Sequence, residues 1–161
     1  MRTIKFAFVG LLLLSLAIGI SSFIPAKKAI KGSSSVSGGG TTIEGNAKST
    51  FVFNAVENAN GVHGFLQYNF RNSGVTIRMN ITCFEIDGNR ATLSGEIINV
   101  TGDNTSFPWV FEGQHASFTV EDNGNGKSQD KISDLLCYSG ASCSDDWNTY
   151  LTVSGNISIK L

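Results

Sequence analysis

The stretch Val75-Thr-Ile77-Arg-Met79-Asn-Ile81-Thr-Cys83 puts an apolar residue at every odd position and a polar one at every even position. Successive side chains of a β-strand point to opposite faces, so a period of two makes one face apolar and the other wet. The segment therefore predicts a half-buried strand, with Met79 and Cys83 toward a core and Arg78 and Asn80 toward solvent. The same alternation recurs in Phe51, Phe53 and Ala55, in Leu66, Tyr68 and Phe70, and in Ala91, Leu93, Gly95 and Ile97. It returns in Ala116, Phe118 and Val120, and closes the chain from Leu151 to Leu161. Between these runs lie Asn60-Gly61, Asn72-Ser73-Gly74, Asp87-Gly88 and Asn123-Gly124, residues that tolerate the positive φ of hairpin turns. No window after residue 42 carries a helical apolar stripe, although Asp130 to Tyr138 is ambiguous. This spacing predicts an all-β domain, a single antiparallel β-sandwich or small β-barrel of about 7–9 strands. Gly45, Gly64, Gly95, Gly113 and Gly155, in or beside strands, would permit the bulges and bends of a coiled sheet.

The N-terminal stretch has a different character. Arg2 and Lys5 precede an apolar run from Phe6 to Leu14 that weakens toward Ile20, and small residues lead to Ala26. That order predicts a secretory signal peptide over residues 1–26. Left uncleaved, Ile4 to Ile24 would be long enough to span a bilayer, so membrane association is expected only in that case. Residues 27–42 hold Lys27, Lys28 and Lys31, then Gly32-Ser33-Ser34-Ser35 and Gly38-Gly39-Gly40, and read as a flexible linker. The expected organisation is thus signal peptide 1–26, linker 27–42 and β domain 43–161, in a protein secreted or held in the periplasm or at the cell surface.

Composition removes several function classes. The chain carries 12 Lys and Arg against 13 Asp and Glu, a net charge of −1, without the basic excess of an electrostatic nucleic-acid binder. A hydrophobic share of 41%, regularly spaced, is incompatible with a wholly disordered chain. Eighteen Gly without a G-X-Y repeat exclude collagen.

Three cysteines in an exported chain can form one disulfide and leave one thiol. Cys137 and Cys143 enclose a short Gly-containing loop and are the expected pair, with a pairing through Cys83 as the alternative. Trp109 and Trp147 are candidates for ligand stacking together with Tyr68, since sugar-binding faces use exposed aromatic rings. Trp109 is expected to pack in the core and Trp147, beside Asp145 and Asp146, to be exposed. Glu121, Asn123 and Asn125 place oxygens at alternate positions ahead of Gly126, with Asp130 available to complete a calcium shell. The twelfth position of such a loop is Ile132, which cannot ligate, so a polar turn is the competing reading. His63 and His115 have no metal-ligand spacing, and no Ser stands in a G-x-S-x-G context, so no catalytic residue is assigned.

Gly45-Asn-Ala47 leading to Phe51, Gly64-Phe-Leu66-Gln-Tyr68, Gly88-Asn-Arg90-Ala-Thr-Leu-Ser-Gly95-Glu96, and Phe118-Thr-Val120-Glu-Asp122-Asn-Gly124 followed by Asp130-Lys-Ile-Ser133 occur in an order that resembles the post-COAP-type β domains found near the ends of secreted bacterial proteins. The resemblance runs over about residues 43 to 161 and rests on turn glycines and strand alternation. It implies an extracytoplasmic bacterial β domain with no established enzymatic activity. Cys137 to Trp147 departs from the pattern as a local insertion. The expected function is a non-enzymatic secreted β domain, structural or binding, at the bacterial cell exterior, with an extracellular or cell-surface partner and no cofactor other than the calcium alternative. A β-barrel or sandwich that binds a small ligand or carbohydrate, in a cleft lined by Trp109 and Tyr68, is the second expectation.

Overall fold

A computed structural model of the chain describes residues 33–124 and 129–161. The predicted signal peptide and residues 27–32 of the predicted linker lie outside these residues. The described chain is all-β, as the alternation predicts, and its strands run in one antiparallel sheet curled almost into a barrel. The strands are β1 (Ser35–Glu44), β2 (Ala47–Asn58), β3 (Gly61–Phe70), β4 (Val75–Asp87), β5 (Arg90–Thr101), β6 (His115–Glu121), β7 (Lys131–Ile132), β8 (Leu136–Cys137), β9 (Leu151–Thr152) and β10 (Ser154–Lys160). The ambiguous stretch from Asp130 to Tyr138 is extended, in β7 and β8. The first five strands form a meander, each hairpin closed by a turn of the kind read from the sequence. Gly61, Gly74 and Gly88 adopt positive φ there.

The sheet closes through its last strands. β10 pairs with β1 while β9 pairs with β7, and only Val153 separates β9 from β10. Beyond that point the second edge of β10 meets side chains instead of a strand. The Asp130 carboxylate accepts from Ile157 N at 2.7 Å, and the Asp122 carboxylate accepts from Ile159 N at 3.0 Å. Two carboxylates thus do the work of a missing neighbour, satisfying backbone donors that would otherwise be costly to leave unpaired.

The residues predicted as linker up to Thr42 are a strand from Ser35 onward, bonded to β2 on one side and β10 on the other. Composition misleads here because the glycines are there for packing. A Cβ on Gly38 would meet the Phe53 ring at 2.8 Å, and one on Gly40 would meet Val153 at 2.8 Å. On β1 two inward glycines make room for the core behind it.

The barrel interior is filled by side chains. Phe53 on β2 meets Phe118 on β6 edge-on at 5.3 Å, spanning the interior, and Leu66, Met79, Leu93 and Ile157 are almost wholly buried around them. Ser35 pairs with Lys160 and Val56, so the first and last long strands begin and end at one rim. The β1–β2 and β3–β4 turns and the loop leaving β5 lie at the other.

β4 carries a bulge between Ile81 and Cys83. One extra residue reverses the side-chain phase, so Phe84 and Ile86 join the core and Cys83 turns to the outer face. The expectation of an inward Cys83 is overturned by this single residue.

Candidate ligand-binding site

On the outer face of β5 and β6 the directly opposed pairs are Arg90 and Glu121, Thr92 and Thr119, and Ser94 and Ser117. The four hydroxyl residues are buried although they face outward. The segment from Tyr138 to Tyr150 lies over them as a strap. Ser94 donates to Ala141 O, Ser117 Oγ donates to Asp145, and Trp147 gives its backbone N–H to Thr119 Oγ1 and its indole N–H to Ser117 Oγ at 2.8 Å. Arg90 holds the end of the strap through Asp146 at 2.7 Å, Trp147 O at 2.9 Å and Thr149 Oγ1 at 2.9 Å, and pairs with Glu121 at 3.2 Å. The Thr149 hydroxyl that donates to Glu121 holds that carboxyl below its usual range. The Tyr138 phenol does the same for Asp145, whose carboxylate also accepts from Ser142 N.

The strap is stapled by a disulfide between Cys83 and Cys143, with Cα atoms 5.8 Å apart. The expected Cys137–Cys143 pair is therefore wrong, and Cys137 is a half-buried free thiol. Cys137 stands opposite Ala116 in the β6–β8 register and packs against the core. Cys143 lies outside the sheet and Cys137 inside it, so the two nearest in sequence are separated by the barrel wall. Disulfides of this kind persist in oxidising compartments, outside the reducing cytoplasm.

Trp147 is half-buried by its contacts with Ser117 and with Tyr138, edge-on at 5.9 Å, and does not present the exposed face expected of it. The recess beside it, about 230 Å³, is bordered by Glu85, Asp87, Asp145 and Asp146 around Arg90. Its cation is already spent on the strap, so this wall serves architecture.

The calcium constellation has other employment. Glu121 is bound to Arg90 and Thr149, Asn123 accepts from Asn89 and donates to Gln129 O, and Asp130 accepts from Asn123 N and Ile157 N. Asn125 lies outside the described residues. The described oxygens of that constellation, on Glu121, Asn123 and Asp130, make turn and seam bonds of the barrel. His63 and His115 are exposed near opposite rims, on β3 and β6.

The other two candidates, Tyr68 and Trp109, lie toward the rim opposite Ser35 and Lys160. Tyr68 is 3% exposed and belongs to the core, where it stacks with Phe51 at 6.3 Å, so it lines no cleft. Its neighbour along β3, Phe70, lies 4.9 Å away and stacks in turn on Phe107 at 4.7 Å. Phe107 meets Trp109 edge-on at 6.0 Å, and Trp109 is 58% exposed, not packed in the core as the sequence suggested. A run of rings thus leads from the barrel centre to solvent. The loop that carries its outer end is held by a 3₁₀ turn at Asn104–Ser106 and by Val110, which is the residue buried in place of Trp109. Asp103 caps that turn, and the Thr105 backbone N–H it accepts holds its carboxyl below the usual range.

Beside these rings lies a recess of about 310 Å³, bordered by Phe70, Phe107, Lys48, Asn72, Ser73 and Ser106. That is the lower end of the roughly 300–1,000 Å³ of small-molecule sites, with the usual apolar walls and few polar groups. Asn72 spans the β1–β2 and β3–β4 turns, accepting from Lys48 N and donating to Asn46 O, which fixes the shape of the rim. Sequence reasoning found Trp109 but not Phe70, Phe107 or Lys48. The signal was the aromatic pair flanking Pro108, with Phe111 close behind, three rings set in a loop between strands.

Comparison of the chain with family models, with curated proteins and with solved structures returns no match.

Proposed function

We propose that this chain is a non-catalytic binding module of an oxidising compartment outside the cytoplasm, secreted or held at the cell exterior, and that it binds through the aromatic rim of its barrel. The observation that carries this reading is the run of rings from Phe51 through Tyr68, Phe70 and Phe107 to exposed Trp109, beside a recess with apolar walls. An exposed tryptophan braced by a buried aromatic stack is a rigid contact surface that loses little entropy when a ligand settles on it. The disulfide supports the compartment. The resemblance to secreted bacterial β domains agrees with it. A binding role is favoured over catalysis because the recess lining brings together rings and small polar groups and places no histidine or carboxylate beside them. Asn72 and Ser73 are engaged in holding the turns.

Intrinsic tryptophan fluorescence and calorimetry with a panel of soluble glycans and small ring compounds test this. Trp109→Ala should leave stability within roughly 0.5 kcal/mol, as for most exposed positions, and weaken binding about tenfold by calorimetry. An unchanged response in that variant would remove the aromatic rim from the binding surface.

A further inference from the structure

We infer that the ligand of this recess is a pyranose ring bearing a carboxylate, the chemistry of a uronic-acid unit in an acidic glycan; this rests on the reading of the aromatic rim as the binding surface. Three features of the recess point to it. Its walls include the rings of Phe70 and Phe107, which favour a ligand with an apolar face, as a pyranose has on its C–H side. Around them stand Ser106 and, with the lone pairs and amide hydrogen that their turn bonds leave over, Ser73 and Asn72, groups that hydrogen-bond sugar hydroxyls. The one charged side chain in the lining is Lys48, exposed at the start of β2, and among the described residues its ammonium has no carboxylate partner.

The carboxylate nearest in register, Glu44 opposite Ala47, accepts from the Tyr150 hydroxyl at 3.4 Å. Arg71 follows Phe70 at the same rim and is held there by its Nε bond to Thr50 Oγ1, which adds a second cation behind the first. Asp103, the nearest carboxylate along the loop, is turned onto its own Thr105 N–H. A neutral sugar would use the rings and leave Lys48 idle. A carboxylate at the edge of the ring would meet the ammonium while the C–H face lies on the aromatic wall. Flat aromatic acids would also stack, but they lack the hydroxyls that match Ser73, Ser106 and Asn72.

The test is binding of purified trigalacturonate and of its fully methyl-esterified form to the oxidised protein, read by calorimetry and tryptophan fluorescence. Three exposed-site variants accompany it: Trp109→Ala, Lys48→Met, and Lys160→Met at the opposite rim as a charge control. The acid should bind about fivefold more tightly than the ester, the scale of one exposed ion pair. Lys48→Met should erase that difference by weakening the acid alone. Trp109→Ala should weaken both sugars by about tenfold, and Lys160→Met neither. Equal binding of acid and ester, equal effects of Lys48→Met and Lys160→Met, or binding of neither sugar would each overturn the acidic-sugar assignment. Trp109-dependent binding of the ester or of another ring compound would then still leave the aromatic-rim reading standing. Loss of Trp109 dependence for every ligand would end both.

Discussion

Inside the barrel wall, the Cys137 thiol is desolvated, and burial pushes it up to about 11. An unfolded thiol titrates near 8.5, so above that pH the folded chain holds the proton more tightly than the unfolded one. This residue therefore contributes stability that is present below about pH 8.5 and lost as pH rises toward about 11. Cys137→Ala should flatten the alkaline decline in denaturant midpoint between pH 8 and 10, and native protein at pH 8 should resist alkylation that the unfolded chain accepts at one site. Labelling of the native thiol at the unfolded rate would refute its burial. The inward Cys137 and outward Cys83 were only half legible in the sequence. Spacing favours the nearer cysteine as the partner of Cys143, whereas the actual pairing depends on which face each residue occupies. A clue was present, because apolar positions run odd from Val75 to Ile81 and then even at Phe84 and Ile86. Such a phase change is the imprint of a bulge, and it moves Cys83 to the outer face.

Single strands show the same contest between composition and position. The alternating segments were recognisable because a half-buried strand must alternate. β1 was not, because a strand against a crowded aromatic core has to surrender side chains, and what remains resembles a linker. Gly95 makes the same concession on β5, where a Cβ would fall far inside van der Waals contact with Asn80 O on β4. Gly95→Ala should cost about 1–3 kcal/mol or more by forcing the two strands apart, measured as a shift in urea midpoint. The seam beside β10 depends instead on carboxylates. Asp130→Ala removes the acceptor for Asn123 N and for the buried Ile157 N, and hydrogen bonds to charged groups contribute roughly 1.5–3 kcal/mol each. The variant should lose about 3 kcal/mol and, in hydrogen exchange, open β10 before the β2–β5 meander. Uniform loss of protection over all strands would show that the seam is not a separate unit. Sequence reading singled out this aspartate for a cation because an oxygen-rich turn looks the same whether its oxygens face a metal or the backbone.

At the scale of the whole molecule, the Cys83–Cys143 bond closes a span of 60 residues and ties the strap to the opposite side of β5 from β6. The chain-entropy argument gives such a crosslink about 4 kcal/mol. Reduction should lower stability by up to that amount and open residues 138–150 to proteases first, with the strand content unchanged by far-ultraviolet dichroism. Loss of the sheet on reduction would mean that the strap is part of the core. The hydroxyl rows under the strap were readable as polar positions, but not as covered ones, because a Ser or Thr on an outer face looks the same wet or dry. The barrel also has a direction. Ser35 and Lys160 lie side by side at one rim, and Trp109 and the recess bordered by Phe107 stand at the other. An anchor beside Ser35 or Lys160 would therefore stand on the side of the barrel away from Trp109. Copies anchored in this way would all turn their aromatic rims away from the anchor, and on the proposed reading weak single contacts could add along a polymer with repeating rings.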